Sequence, residues 1–411
     1  MDILLCNKFF YEKGGAERYF FSLSRALEER GHRAIHFSMH HPDNVESTYR
    51  GYFVKEKRYD DSLGAWEALS QGVSFIRSRE AAKRMKELVT DQRPQIAHLH
   101  NIYHQITPSI VPVLKRAGVP IVMTLHDYKL ICPNYTLFAR GTHCNRCIGG
   151  KFHQALLARC NGGSLTRSAL LALEAYWQKW THVYDAIRLF ISPSRFLMER
   201  FIDAGFSPER VIHLPSFVHD DIPRAKEASE ENRLLALPGK YVLYFGRLSE
   251  EKGLFSLLDA LKQCDNVTLV FAGDGPLFGS LKGCAESHGL DVHFMGYVQK
   301  PALDRIIENA RAVVLPSLWP ENAPFTVLEA ASLGVPVIVS DMGGLPEMAE
   351  LLGGIVFPSG DSGSLAEKIT RIWSDDALAD RMGRNASNAV ERQYRKDVHI
   401  DALETIYHSV L

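Results

Sequence analysis

Residues 315–341 read LPSLWPENAPFTVLEAASLGVPVIVSD, and this stretch decides the fold. An apolar strand closes at Leu315, a loop holding Pro316, Pro320 and Pro324 follows, and a short helix is expected from about Thr326 to Gly334. A second apolar run, 337–340, comes directly after it. Strand, crossover helix, strand is the repeating unit of a parallel sheet, and such sheets bind ligands outside the carboxyl ends of their strands. Two carboxylates, Glu321 and Glu329, lie eight residues apart, one on the loop and one in the first helical turn. Backbone N–H groups of the loop and helix start suit a diphosphate, and the two acids can reach different hydroxyls of one extended ligand. Glu329 reads equally well as the far member of a capping box begun by Thr326.

The same alternation of short apolar runs and helix-period segments fills the chain. Strands are expected at 3–6, 34–38, 96–100, 121–124 and 189–192, then at 241–245, 267–272, 292–295, 312–315, 337–340 and 355–357. Ala16, Tyr19, Phe20, Leu23, Ala26 and Leu27 recur at helical spacing between the first two strands, and Gly31 ends that helix. A polar stretch at 220–232 separates the halves. The fold class is therefore α/β: two doubly wound Rossmann-like domains, 1–215 and 216–385, expected to face one another across a cleft. The segment 386–411 is expected to be helical and to pack back on the first domain.

A chain of 411 residues is too long for one ordinary core, and 46% hydrophobic with 23% charged residues is the balance of a soluble globular protein. No run approaches the ~20 apolar residues that span a bilayer. The start, MDILLCNKFFYEKGG, has no basic leader and reads as a buried strand rather than a signal peptide. Seven cysteines, an odd number, point to reduced thiols and a cytoplasmic location. Residues 1–220 carry 29 Lys and Arg against 21 Asp and Glu, and the remainder 18 against 27. The basic half is either solvated surface or a face for anions or membrane headgroups, densest at Arg77, Arg79, Lys83, Arg84 and Lys86. Nothing indicates a nucleic-acid partner.

Four further motifs accompany the acidic pair: GGAE (14–17), TLHDY (124–128), FGRLSEEKG (245–253) and AGDGP (272–276). In this order, with Glu321-x7-Glu329, they resemble glycosyltransferase family 4, whose retaining enzymes have the GT-B fold. The resemblance covers nearly the whole chain. It implies that Glu321 contacts hydroxyls of a donor sugar and Glu329 the nucleotide ribose. Asn322, Ala323, Pro324 and Phe325 would hold sugar hydroxyls, with Thr326 and Val327 near the phosphates. Arg247 and Lys252 would grip the diphosphate, with Gly246, Gly273 and Asp274 in the same donor-binding loops and Tyr297 and Val298 beside the base. Independently of the family, an Arg and a Lys just beyond a strand end suit a departing nucleoside diphosphate, whose charge grows as the sugar bond breaks. Each could also be plain surface charge.

On the first-domain side, Gly14 and Gly15 open a helix whose N-terminus favours negative charge, or form an ordinary tight turn. Family resemblance places that loop near donor phosphates and acceptor, which makes Gly14, Gly15 and Glu17 site candidates. His126 follows a strand and is either structural or, by the same resemblance, a contact of the donor sugar, with Asp127 beside it as an orienting group. His98, His100 and His104 lack a carboxylate or Cys at ligand spacing, so acceptor contact by His100 or Asn101 fits better than a catalytic zinc. Cys144-x2-Cys147, flanked by Cys132 and Cys160, fits a structural Zn²⁺, buried free thiols or a disulfide. Gly273-x-Gly275-x3-Gly279 imitates a dinucleotide fingerprint, but the acid that should end the next strand, Asp291, begins it.

The implied reaction is transfer of a sugar, glucose favoured, from a UDP-sugar to a saccharide or lipid-linked acceptor with retained configuration and no catalytic cofactor. Attack comes from the leaving-group face, with the departing phosphate taking the acceptor's proton. A sugar-nucleotide epimerase of the same architecture and a non-catalytic nucleotide-sugar binder are the alternatives. Isomerised product from donor alone, or nucleotide binding without turnover, would distinguish them.

Overall fold

The computed structural model describes residues 1–56, 74–218 and 237–411; the polar stretch 220–232 lies outside them. The chain divides into two compact units, and each is built on a six-stranded parallel sheet. The first unit comprises 1–137, 144–216 and 396–411, the second 138–143 and 217–395.

In the first unit the elements run β1 (Asp2–Cys6), α1 (Gly15–Glu29), β2 (Arg33–Phe37), α2 (Arg79–Gln92), β3 (Ile96–Leu99), α3 (Val111–Arg116) and β4 (Ile121–Thr124). A two-stranded hairpin, β5 (Phe138–Ala139) and β6 (Thr142–His143), belongs to the second unit. Then come α4 (His153–Ala158), α5 (Leu165–Trp180), β7 (Leu189–Ser192), α6 (Arg195–Asp203) and β8 (Val211–His213). Strand order is β2-β1-β3-β4-β7-β8, so the chain winds outward from β1 in both directions. Strands β3 and β4 are buried throughout, which is why they read as unbroken apolar runs. β8 has only Val211 buried and leaves no such signature in the sequence.

The second unit runs β9 (Val242–Phe245), α7 (Leu254–Leu261), β10 (Leu269–Ala272), α8 (Phe278–Ser287), β11 (Val292–Gly296), α9 (Ala302–Glu308), β12 (Ala312–Leu315) and α10 (Phe325–Ser332). It continues with β13 (Val337–Ser340), α11 (Leu345–Leu352), β14 (Ile355–Phe357), α12 (Ser362–Ser374) and α13 (Asp376–Gln393). Its order is β11-β10-β9-β12-β13-β14, so two strands, β10 and β11, lie on one side of its first strand where the first sheet has only β2. Alternate residues of β9 feed two separate cores: Leu243 and Phe245 pack on one face, Val242 and Tyr244 on the other.

The terminal segment is two helices rather than one. The helix α13 stops before Tyr394, whose carbonyl accepts from Val218 N at 3.0 Å, and α14 (Lys396–Val410) restarts in the first unit. There α14 buries Ile400, Leu403, Ile406, Tyr407 and Val410, each worth about 1.5–3 kcal/mol of transfer free energy. Lys396 pairs with Glu29 at 2.8 Å, Arg30 with Asp401 at 2.6 Å and His32 with Glu404 at 2.8 Å.

Candidate functional site

In the second unit, the carboxyl ends of β9, β10 and β12 carry the loops that hold most donor-site candidates. The turns after β9 and β10 are fastened together by Gly246 N donating to Ala272 O at 3.0 Å and Leu248 N to Asp274 O at 2.9 Å, and Gly273 N ties the second turn to the end of β11 through Gly296 O at 2.7 Å. One carboxylate oxygen of Asp274 accepts from Gly275 N at 2.7 Å. Arg247 is exposed; its carbonyl accepts from Tyr244 Oη at 2.8 Å, while its guanidinium makes no hydrogen bond or ion pair among the described residues.

Lys252 and Glu321 meet. Nζ of Lys252 donates to Glu321 Oε1 at 2.6 Å, and Ser317 Oγ donates to the same oxygen at 2.7 Å. Glu321 is 4% exposed, while the Lys252 side chain keeps 21% and lies 5.1 Å from the centre of the Trp319 ring. Glycines allow this approach. A side chain at Gly253, with φ +68°, would strike the Pro316 carbonyl, and one at Gly343, with φ +67°, would strike the Glu321 backbone. Gly344 N donates to Glu321 O at 2.7 Å, which fixes the backbone of the acid as firmly as its carboxylate.

Helix α10 begins at Phe325, with Pro324 as an extended N-cap and no side-chain cap. Thr326 is thus inside the helix, and the capping-box reading of Thr326 and Glu329 does not hold. Asn322, Ala323, Pro324, Phe325 and Thr326 are half-buried, and Val327 is buried in the core. Glu329 is buried and has a cation that sequence reading missed: Lys300 Nζ lies 3.5 Å from its Oε1 and 3.4 Å from Asp304 Oδ1. Lys300 is 29 residues before Glu329, and no local spacing announces the pair. Tyr297 is the most exposed large apolar residue among the described residues, at 74%, while Val298 packs on the core.

In the first unit, His126 follows β4 and is held by its neighbours. Its Nε2 lies 2.9 Å from His100 Nδ1, and His100 stacks on His98 with centroids 4.3 Å apart. His98 bonds Thr124 Oγ1 and Tyr407 Oη, each at 2.7 Å, and Tyr19 Oη bonds His399 Nε2 at 2.8 Å. Burial lowers His98 to about 3 and His126 and His399 to about 4, so all three are neutral imidazoles at pH 7. His100 is fully buried, and its Nδ1 faces His126 rather than solvent.

Gly14 is extended, with φ −171°, and a methyl group there would lie 3.7 Å from Glu17 Oε2, so backbone geometry does not demand a glycine. Glu17 is buried, accepts from Asn7 Nδ2 at 3.3 Å, and has its carboxyl raised by burial. Asn101 N donates to Asn7 Oδ1 at 3.2 Å, and Tyr103 Oη to Asn101 Oδ1 at 3.3 Å. Sequence reading also missed Lys8, whose Nζ sits 4.2 Å from the Tyr103 ring centre. Burial lowers Lys8 to about 8 and raises Asp127 to about 6, which sets both to titrate near neutrality.

Among the described residues no three His, Cys, Asp or Glu side chains are grouped to hold a metal ion, which corrects the zinc alternative for Cys132, Cys144, Cys147 and Cys160. All four are free. Cys132 packs in the main core and Cys147 in a small separate one, and burial raises their thiols to about 11 and about 12. Instead of joining a metal cluster, His104 bonds Glu174 Oε1 at 3.0 Å, while Lys129 holds the other oxygen at 2.8 Å. No described helix is long and apolar enough to cross a membrane.

Comparison with known proteins agrees with this architecture. The Glycosyltransferase Family 4 description matches residues 13–222 and that of glycosyl transferases group 1 matches residues 225–389. An uncharacterised protein of the Klebsiella pneumoniae cps region is 24% identical over 370 residues, 87% of this chain and 90% of its own. O-antigen chain mannosyltransferase C of Escherichia coli is 30% identical over 175 residues, 42% of this chain and 47% of its own. Among solved structures, Anabaena HepE in complex with UDP superposes with TM-score 0.68 at 20% identity, over 100% of both chains. Sucrose-phosphate synthase of Thermosynechococcus elongatus gives 0.70 at 18%, over 99% of this chain and 98% of its own. These likenesses show the GT-B fold. The chain belongs to glycosyltransferase family 4, a family of retaining glycosyltransferases that use nucleotide-sugar donors.

Proposed function

We propose that the chain transfers glucose from UDP-glucose to a hydroxyl of a saccharide or lipid-linked saccharide during polysaccharide assembly. In this reading residues 1–215 bind the acceptor, residues 216–385 bind the nucleotide sugar, and the terminal helix belongs with the acceptor part. The observation that carries it is the Lys252–Glu321 contact beside an uncapped helix start. A buried acid held by a lysine and a serine can accept from sugar hydroxyls. The same lysine, with the unpaired Arg247, can meet charge on a departing diphosphate.

The anomeric carbon loses its bond to the phosphate oxygen and gains one to the acceptor oxygen on the same face. The acceptor's proton passes to the departing phosphate. The rate then comes from positioning and from fixed positive charge. Glu329, steadied by Lys300, is assigned the ribose hydroxyls, the amides of 322–327 the sugar and phosphates, and Tyr297 and Val298 the base. His126 and the 14–17 loop serve the reacting sugar and the acceptor.

UDP and glucose as donor parts are supported by the complexes of Anabaena HepE with UDP, and with UDP and glucose. The polysaccharide setting is supported by the cps-region and O-antigen relatives. A donor panel read by nucleoside diphosphate release, with and without lipid extract, tests the proposal. UDP-glucose should give the largest acceptor-dependent release. A different sugar nucleotide turning over faster would replace the donor, and release independent of any acceptor would refute transfer.

A further inference from the structure

The helical hairpin of α4 and α5 leaves an apolar stripe facing water. Leu165, Leu173 and Trp180 are spaced by eight and seven residues, which puts them within one arc of about 80° on α5. They are 51%, 59% and 72% exposed, and Leu157 on α4 is 64% exposed. The opposite side of α5 buries Ser168, Leu171, Ala172, Glu174, Ala175 and Gln178, so the stripe is not a misplaced core face. Trp180 is stacked on Tyr176 at 5.3 Å, which holds the indole out in a fixed pose.

The exposed charges along this stretch of chain are basic. Between Cys144 and Thr181 the chain has Arg146, Lys151, Arg159, Arg167 and Lys179, all exposed, and a single acid. That acid, Glu174, is fully buried and consumed by Lys129 and His104. Burial alone would raise its carboxyl, but Lys129 and His104 overcome this and hold it below the ordinary value, so it stays an internal anion offering nothing to the surface.

We propose that the α4–α5 hairpin docks the protein on an anionic lipid bilayer, with Leu157, Leu165, Leu173 and Trp180 entering the interface and the five basic residues reaching the headgroups. Leucines and an indole ringed by cations are the composition of an interfacial helix face. A second copy of the chain fits poorly. A two-fold contact would set this basic set against itself with no acid to offset it. The basic run on α2 is a weaker surface. Glu87 lies 3.2 Å from Arg84 and 3.9 Å from Lys83, and none of the exposed large apolar residues falls on that helix. The docking surface adds to the transfer reaction proposed above and does not depend on the identity of the donor.

The test is co-sedimentation of the full chain with phosphatidylglycerol vesicles and with phosphatidylcholine vesicles, alongside the fluorescence of Trp180. The parent should bind the anionic vesicles, with a blue shift that Trp180→Phe removes. Leu165→Gln/Leu173→Gln/Trp180→Gln and Lys151→Gln/Arg159→Gln/Lys179→Gln should each weaken binding about tenfold or more. Replacing Arg77, Arg79, Lys83, Arg84 and Lys86 by Gln should leave it near the parental value. Unchanged binding in both hairpin variants overturns the proposal, as does a parental dimer in solution that the apolar variant converts to monomer. Nucleoside diphosphate release with a water-soluble acceptor should survive in every hairpin variant. Loss of release in the parent would therefore refute the transfer reading while leaving vesicle binding to be judged separately.

Discussion

Replacing Lys252 by Met separates two roles that the 2.6 Å contact with Glu321 could serve. Met keeps the apolar stem beside Trp319 and removes only the charge. Leaving a buried carboxylate without its partner costs about 3–5 kcal/mol when both groups are dry. Lys252 is a fifth exposed and Ser317 still donates to Glu321, so about 2 kcal/mol is the fair figure here. For a unit of this size that lowers Tm by about 4–8 °C.

Turnover answers a different question. A fixed charge aimed at a leaving group is worth about 3–4 kcal/mol, which is 100- to 1,000-fold in kcat. Glu321→Gln should keep most of the fold, since Lys252 can turn to water, yet lose turnover comparably. The double variant then decides. Stability should recover toward the parent, because no buried charge is left unpaired, while turnover stays as low as in either single variant. The assays are thermal melting and nucleoside diphosphate release. If Lys252→Met melts early but keeps kcat within about threefold of the parent, a difference under 1 kcal/mol, the pair is only an internal brace.

Acid should weaken the first unit: His98, His126 and His399 have folded values lowered to about 3–4, so below the unfolded value near 6.5 only the unfolded chain takes up the protons. Each removes about 1.4 kcal/mol per pH unit from there down to its folded value, and a Tm unchanged between pH 7 and pH 5 would contradict the burial of these rings. Gly14→Ala should leave Tm within about 1 °C, given an extended backbone and no contact closer than 3.7 Å, but should raise KM if the 14–17 loop lies against substrate. Gly343→Ala combines a left-handed φ with a collision against Glu321 and should cost about 2 kcal/mol or more, read by melting, together with turnover. Lys129→Met strands the fully buried Glu174 and should destabilise the first unit by about 3 kcal/mol, whereas Lys129→Met/Glu174→Gln should recover much of that loss in a denaturant titration.

How far each feature could be read from sequence followed its range. The interior strands β4, β7, β12 and β13 have the expected limits because a parallel strand flanked on both sides is apolar along most of its length, and the edge strand β14 matches because Ile355, Val356 and Phe357 are all apolar. The edge strand β8 escaped because Val211 and Ile212 are followed by His213, which leaves too short an apolar run. Thr326 and Glu329 have the spacing of a cap, but the chain enters α10 through Pro324, and an extended proline starts the helix one residue sooner. Lys252 and Glu321 were both legible as strand-end polar groups, but not their direct bond across 69 residues. Lys300 beside Glu329 and Lys8 over Tyr103 carry no local pattern at all, because only folding brings those cations to their partners.

The histidine chain shows why such long-range polar contacts are informative. A sheet that needed only packing would be more secure with apolar residues at His98, His100, Thr124 and Tyr407, since each buried polar group risks an unmade hydrogen bond. Here the risk is partly realised: His100 Nε2 is buried without a partner. What the arrangement secures is orientation. Tyr407 and Thr124 hold His98, whose ring stacks on His100. The latter's Nδ1 then fixes Nε2 of His126, the last ring before solvent. Tyr407 comes from α14, so the terminal helix is one of the supports of that ring. If this ordering matters to the reaction, Tyr407→Phe, which keeps the packing and removes one hydroxyl, should cost only about 1 kcal/mol in stability yet lower kcat more than it changes donor KM. Equal loss in folding and turnover, with no separation between the two, would reduce the chain of rings to a structural feature of the first sheet.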